Sequence, residues 1–149
     1  MNAKYVHTNI IASDWKKLAA FYQTVFGCTP VPPERDLRGD WLDKGTAVKN
    51  AHIRGMHLRL PGHGEHGPTL EILQYDTTMG GKSGPANHVG LRHIAFLVDD
   101  VQRTRELVLK NNGGELGEIV EVDIHKLGTL VFVYLTDPEG NIIEIQQWK

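Results

Sequence analysis

Apolar and polar positions along this chain follow one order of elements, and that order is used twice. Lys4 to Ile11 alternates and predicts a strand, after which Ser13 offers a helix N-cap and Asp14 an acidic first-turn residue. Trp15, Leu18, Tyr22 and Val25 then recur at helical spacing until Gly27, the expected stop. A short strand is expected around Thr29 to Pro32, where Pro30, Pro32 and Pro33 confine it to a sheet edge. Ala51 to Leu60 predicts a long strand, Pro61 to Pro68 a turn, and Thr69 to Tyr75 the returning strand. Asp76 to His88 is polar, glycine-rich and without periodicity. Val89 to Val98 predicts the next strand, Asp99 or Asp100 a cap, and a helix follows to Asn111, ended by Asn112-Gly113-Gly114. Strands are expected near Glu118 to Asp123, Thr129 to Thr136 and Asn141 to Gln147, with a turn at Asp137-Pro138-Glu139-Gly140-Asn141. The pattern is α+β: βαβββ twice, in modules 1–76 and 88–149 of one domain 1–149, joined by a Gly-rich linker 77–87.

The repeat survives alignment. Setting His93 on His7 gives an offset of 93 − 7 = 86, which places Asp100 on Asp14, Val101 on Trp15, Val108 on Tyr22 and Gly113 on Gly27. Each copy closes on an apolar strand with a central acid: Leu70-Glu71-Ile72-Leu73 and Ile142-Ile143-Glu144-Ile145. The acids are offset by 144 − 71 = 73, so the first copy carries 86 − 73 = 13 extra residues, expected mostly between Pro32 and Asn50.

Each copy thus contributes one His and one Glu, and a carboxylate on an apolar strand is costly to bury unpaired. His7, Glu71, His93 and Glu144 meeting across a pseudo-twofold axis would make a divalent metal site. Two imidazoles and two carboxylates suit Zn, Ni, Co, Fe or Mn, one ion per site. Either Glu144 or Glu71 could then loosen and carry a proton. Side chains two apart share a strand face, so Tyr5, Asn9, Tyr75, Gln146 and Trp148 should flank the ligands in a substrate pocket. His57 and Arg59 on the long strand would point the same way. The opposite parity, with Val6, Ile10, Leu70, Ile72, Ile94, Phe96, Ile143 and Ile145, is apolar, as a helix-covered face should be.

Composition narrows the partners. The formal charge is −2 over 149 residues, which argues against a nucleic-acid footprint. No apolar run approaches the roughly 18 residues that span a bilayer, and the first residues lack the apolar core of a signal peptide. One cysteine, Cys28, excludes an internal disulfide and fits a reducing, cytoplasmic compartment, with the thiol as a small buried filler.

These stretches together resemble the vicinal oxygen chelate superfamily, and within it the glyoxalase I-like and methylmalonyl-CoA epimerase-like branches. The matching pieces are His7 leading into Ser13-Asp14-Trp15, Phe21-Tyr22 with Phe26-Gly27, Thr69-Leu70-Glu71-Ile72, Leu91 to Val101, and Leu135 to Glu144, with the Asp-Pro-Glu-Gly-Asn turn the most specific. The resemblance implies paired modules forming a cup-shaped, partly open β-barrel with a metal at its base, held by His7, Glu71, His93 and Glu144. It implies a homodimer, and substrate oxygens that chelate the metal while a proton moves at the adjacent carbon. The expected activity is therefore a metal-dependent lyase or isomerase, lactoylglutathione lyase-like, on a small oxygen-chelating substrate. The alternatives are an extradiol-dioxygenase-like oxidoreductase and a small-molecule-binding or antibiotic-resistance protein. Glyoxalase I usually has an Arg four residues after its first ligand and an Asn four after its second. This chain has Ile11 and Tyr75, which speaks against glutathione recognition.

Overall fold

The first helix shows why the elements begin and end where they do. In a computed structural model that describes residues 2–80 and 84–149, α1 (Trp15–Phe26) follows β1 (His7–Ile11) after a sharp turn. Asp14 is the N-cap, its Oδ1 accepting from the Lys17 backbone N–H at 3.1 Å, so the cap lies one residue beyond the Ser13 expected. A charged oxygen at that position answers an orphan N–H and the helix dipole together. Gly27 closes the helix in the left-handed conformation (φ +68°), its N–H reaching the Gln23 carbonyl at 3.1 Å.

The chain divides into two compact units, Met1–Gly80 and Gly81–Lys149. The division falls inside the stretch 77–87; residues 81–83 of that expected linker, and Met1, lie outside the described residues. The first unit continues with β2 (Thr29–Arg38), α2 (Asp40–Thr46), β3 (His52–Arg59) and β4 (Thr69–Tyr75). Its sheet runs in the order β1-β4-β3-β2, with β1 and β4 parallel. The second unit has β5 (His93–Leu97), α3 (Val101–Lys110), β6 (Gly114–Glu115), β7 (Val120–Ile124), β8 (Gly128–Thr136) and β9 (Ile142–Trp148). Its order is β5-β9-β8-β6, with β7 also on β8 and β5 parallel to β9. Neither sheet closes on itself among the described residues.

Each sheet is covered on one face by its helix. Leu18, Ala19, Phe21 and Tyr22 of α1 pack on β3 and β4, where Leu58, Leu70 and Ile72 are fully buried. In the second unit Val101 and Val108 of α3 pack on β8 and β9, over Val133, Leu135, Ile143 and Ile145. The helix-facing parity is as expected along β4 and β9. It fails at Val6, which is 62% exposed and precedes β1. Both first strands are shorter than expected, for one reason. His7 pairs with Thr69 and His93 with Ile142, the first residues of their partner strands. Upstream of them, among the described residues, the one backbone bond to the partner strand is from the Thr69 N–H to the Val6 carbonyl at 3.1 Å, and Val89 and Leu91 stay fully or largely exposed.

Two further departures matter for the site. β2 is an edge strand, as its prolines require, but it runs to Arg38, with a register shift between Val31 and Arg35. The 13 extra residues of the first copy supply the rest of β2 and a helix, α2, that periodicity could not show. Seven residues with one buried side chain, Leu42, carry no readable pattern. Asp43 anchors the helix by accepting from the backbone N–H groups of Asn50 (2.7 Å) and Ala51 (2.9 Å). Leu42 packs with Ala51, Ile53 and Leu73, with Leu37 and Tyr75 against that cluster. In the second unit the edge beside β8 is split between β6 and β7.

The close approach of β3 to β4 depends on Gly55. A Cβ there would lie 2.1 Å from the Ile72 carbonyl oxygen and 2.9 Å from the Leu73 Cα, both backbone atoms that cannot step aside. Gly55→Ala is expected to destabilise the fold by about 1–3 kcal/mol through overpacking. It should also disturb His57, two residues on. Urea unfolding, with histidine NMR signals as a local readout, would check both; a neutral substitution would refute the packing account.

Candidate metal centre

Parallel pairing of the first and last strands builds the same arrangement in each unit. In the first, β1 lies on β4 with His7 opposite Thr69 and Asn9 opposite Glu71. In the second, β5 lies on β9 with His93 opposite Ile142 and Ala95 opposite Glu144. Both imidazoles therefore enter two residues before the level of the acid, on the face away from the covering helix. His7 Nε2 is 3.4 Å from Glu71 Oε2, and His93 Nε2 is 3.1 Å from Glu144 Oε2. Glu144 is the more enclosed, its side chain 14% exposed against 21% for Glu71. The Asp137 turn sets the start of β9. Asp137, 2% exposed, accepts from the backbone N–H groups of Glu139 (2.9 Å) and Asn141 (3.0 Å) and from the Asn141 side-chain amide (2.9 Å).

The third side chain differs between the units. Opposite Glu71 on β3 is His57, and opposite Glu144 on β8 is Tyr134. His57 Nε2 lies 3.1 Å from Glu71 Oε1, and its Nδ1 2.9 Å from the Thr69 hydroxyl. Burial pushes the His57 pKa down, with Arg35 and His7 adding to the effect and Glu71 opposing it. A neutral ring then donates Nε2–H to the carboxylate and accepts the Thr69 proton at Nδ1. Asn9 also donates to Glu71, at 3.1 Å to Oε2 and 3.0 Å to the backbone oxygen. Both oxygens of Glu71 are thus engaged. Glu144 faces His93, with the Tyr134 ring 4.9 Å from the imidazole. Burial, and then the Glu144 charge, raise the Tyr134 pKa. Tyr134 was not singled out from the sequence; the alternation Phe132, Tyr134, Thr136 carried it, but the register against Glu144 did not.

The expected pocket residues separate. Tyr5, His57 and Arg59 line a cavity of about 380 Å³ in the first unit. Asn9 is a carboxylate donor, as above. Tyr75 instead packs against the Leu42 cluster, because α2 covers that end of the Glu71 face. Gln146 is half-buried on β9 opposite Phe132, and Trp148 is exposed opposite Leu130. Cys28 is buried, and burial raises its thiol to about 11. Among the described residues no group of three or more His, Cys, Asp or Glu is arranged to hold a metal ion, and each unit brings together one His–Glu pair of the four expected ligands.

Nor does any described helix have the length and apolarity to cross a membrane. A family model for the Glyoxalase/Bleomycin resistance protein/Dioxygenase superfamily matches residues 4–145. The chain belongs to that superfamily. No curated protein matches it. Among solved structures, a glyoxalase family protein from Bacillus cereus is similar with a TM-score of 0.80 at 13% identity, covering 99% of this chain and 95% of that one. The fosfomycin resistance protein FosX from Listeria monocytogenes, solved with Mn(II) and sulfate, is similar at TM-score 0.58 and 15% identity over 100% of this chain and 95% of its own. A superfamily enzyme from Burkholderia phytofirmans gives TM-score 0.57 at 16% identity over 99% and 100%. At these identities the likeness is one of fold.

On the opposite face of β3, His52 is held between two acids, Nδ1 at 2.7 Å from Asp76 Oδ2 and Nε2 at 2.7 Å from Asp36 Oδ1, while Arg54 reaches Asp76 at 2.6 Å. Hydrogen bonds to Asp36 and then Asp76 raise the His52 pKa above 6.5, and hydrogen bonding to His52 lowers both acids below 3.8. The raised His contributes stability that is present below 6.5 and lost as pH rises through its folded value. The lowered acids contribute stability that is present above 3.8 and lost as pH falls through theirs. His52→Gln should therefore lower the melting temperature most near pH 5 and much less at pH 8. Equal losses at both pH values would show that His52 acts only by packing.

Proposed function

We propose that this protein is a divalent-metal-dependent lyase or isomerase that moves a proton on a small oxygen-chelating substrate, with His7, Glu71, His93 and Glu144 as the metal ligands. The observation that carries the reading is the repeated half-site: two His–Glu pairs in one strand register, on corresponding strands of two units. The donors fit a divalent ion. Each imidazole presents Nε2 towards a carboxylate, and two carboxylates balance a double positive charge. The Mn(II) in FosX makes Mn(II) a reasonable probe alongside Zn(II) and Co(II). A bound ion would act as a Lewis acid that raises the acidity of the carbon next to the substrate oxygens.

The two carboxylates have different work in this reading. Glu71, clamped by Asn9 and His57 besides His7, suits a fixed ligand. Glu144 has fewer donors and a more enclosed site, which suits the group that takes the proton from carbon and returns it. Tyr134 stands opposite it on β8.

Purified protein should bind about one divalent ion per chain, and His93→Ala should abolish stoichiometric uptake in a Co(II) titration. Unchanged metal content in that variant would remove the assignment. Binding of Fe(II) with oxygen uptake would favour the dioxygenase alternative, and no metal at all a binding protein. Glu144→Gln should keep most metal affinity while slowing solvent deuterium exchange into a small α-hydroxycarbonyl such as dihydroxyacetone by about 10²- to 10⁴-fold. Glu71→Gln should chiefly weaken metal binding. The reverse pattern would exchange the two roles.

The four ligands would come either from one chain or from the two chains of a homodimer. Mixing His7→Ala chains with His93→Ala chains tests this directly. If each site draws one half from each chain, mixed dimers regain a site with all four ligands. If each site lies within one chain, no mixture recovers metal binding. Light scattering that shows a monomer at micromolar concentration would also refute the dimer.

A further inference from the structure

Charge on the sheet of the first unit is sorted by face. On the His52 side every cation of β2 and β3 has an acid: His52 with Asp36 and Asp76, Arg54 with Asp76, Arg38 with Asp36. On the His57 side the arrangement reverses. Lys4, Arg35 and Arg59 line the cavity of about 380 Å³ together with His57, His66 and Thr69, and among the described residues none of these three cations has an ion-pair partner. Glu65 is the one acid on the same lining, so the fixed charge there is 3 − 1 = +2, in a chain whose net charge is −2.

Cations on a surface are usually solvated and need no ligand. Arg35 and Arg59 are different in two respects. Both are half-buried. Both are tethered by one N–H to a backbone carbonyl, Arg59 to Gly67 at 2.7 Å and Arg35 to Pro33. A guanidinium has five donors in a planar fork, so each keeps donors free that match a carboxylate or phosphate. A half-buried guanidinium without an acidic partner offers those free donors to an anion.

The cavity also adjoins the candidate metal centre. His57 lines it and at the same time lies 3.1 Å from Glu71 Oε1. We propose that this cavity binds an oxyanion group of the substrate, held by Arg35 and Arg59 with Lys4 adding charge. The substrate class is then a small oxygen-chelating molecule that carries a second, anionic group: a phosphate, phosphonate or carboxylate. This deepens the metal-dependent reading above and rests on it for the reaction, but the anion site itself does not need the metal.

The test uses the full chain, first stripped of metal with a chelator and then loaded with Co(II). Each form is titrated calorimetrically with inorganic phosphate, methylphosphonate and acetate. At least one of these should bind saturably at one site per chain, more weakly as salt rises. The strongest of the three identifies the anionic group. Arg35→Gln and Arg59→Gln should each weaken that binding by about tenfold or more, with an unchanged Co(II) stoichiometry. Arg59 also anchors the Gly67 turn, so thermal melts accompany both variants, and Arg35, on the edge strand, provides the independent case. No saturable binding of any probe, or equal affinity in wild type and the Arg35→Gln variant, would overturn the proposal. Metal uptake without anion binding would sink the anion site alone. Anion binding that depends on Arg35, without metal uptake, would keep it and sink the metal reading.

Discussion

The candidate site of this protein depends on a strand register. In each unit the first strand lies parallel to the last, and its histidine enters two residues before the level of the partner's glutamate. Side chains alternate between faces, so a shift of one residue would turn the histidine into the helix-covered core and leave the carboxylate alone. A shift of two would keep the face and lose the contact. The register is held from both sides. The covering helix requires Leu70 and Ile72, or Ile143 and Ile145, on its own face. The partner strand begins where Pro68 or the Asp137 turn releases it.

Desolvation explains the third residue beside each His–Glu pair. A carboxylate on a mostly buried strand needs donors, and the two units answer that need differently. The first surrounds Glu71 with two imidazoles and an amide. The second gives Glu144 one imidazole and places the Tyr134 ring beside that imidazole. A duplicated framework thus holds two carboxylates with unequal sets of donors.

The excess length of the first unit has a structural meaning. Its added helix, α2, closes one end of the Glu71 face with a small core of its own around Leu42. What stays open on that face is the other end, where β2, the β3–β4 turn and the residues before β1 surround a cavity rich in arginine and lysine. The insertion, the edge strand and the charge sorting all bear on the same short stretch of sheet.

Much of this was legible in the sequence because it is local and periodic. Helix α1 with its Gly27 stop, the strands carrying Glu71 and Glu144, the α+β class and the His–Glu repeat follow from apolar spacing and turn chemistry. His7, Glu71, His93 and Glu144 were expected together in one site; the structure places His7 beside Glu71 and His93 beside Glu144. What the sequence could not decide depends on pairing between distant segments. Val6, Val89 and Leu91 read as strand but lie outside it, because a strand ends where its neighbour ends. Tyr134 owes its place opposite Glu144 to antiparallel register, which no periodicity encodes, and the same register, beyond the pocket face expected for it, sets His57 level with Glu71. Tyr75 was expected in a pocket and packs beneath α2 instead, because a seven-residue helix with one apolar anchor leaves no pattern and is fixed only by the sheet on which it docks.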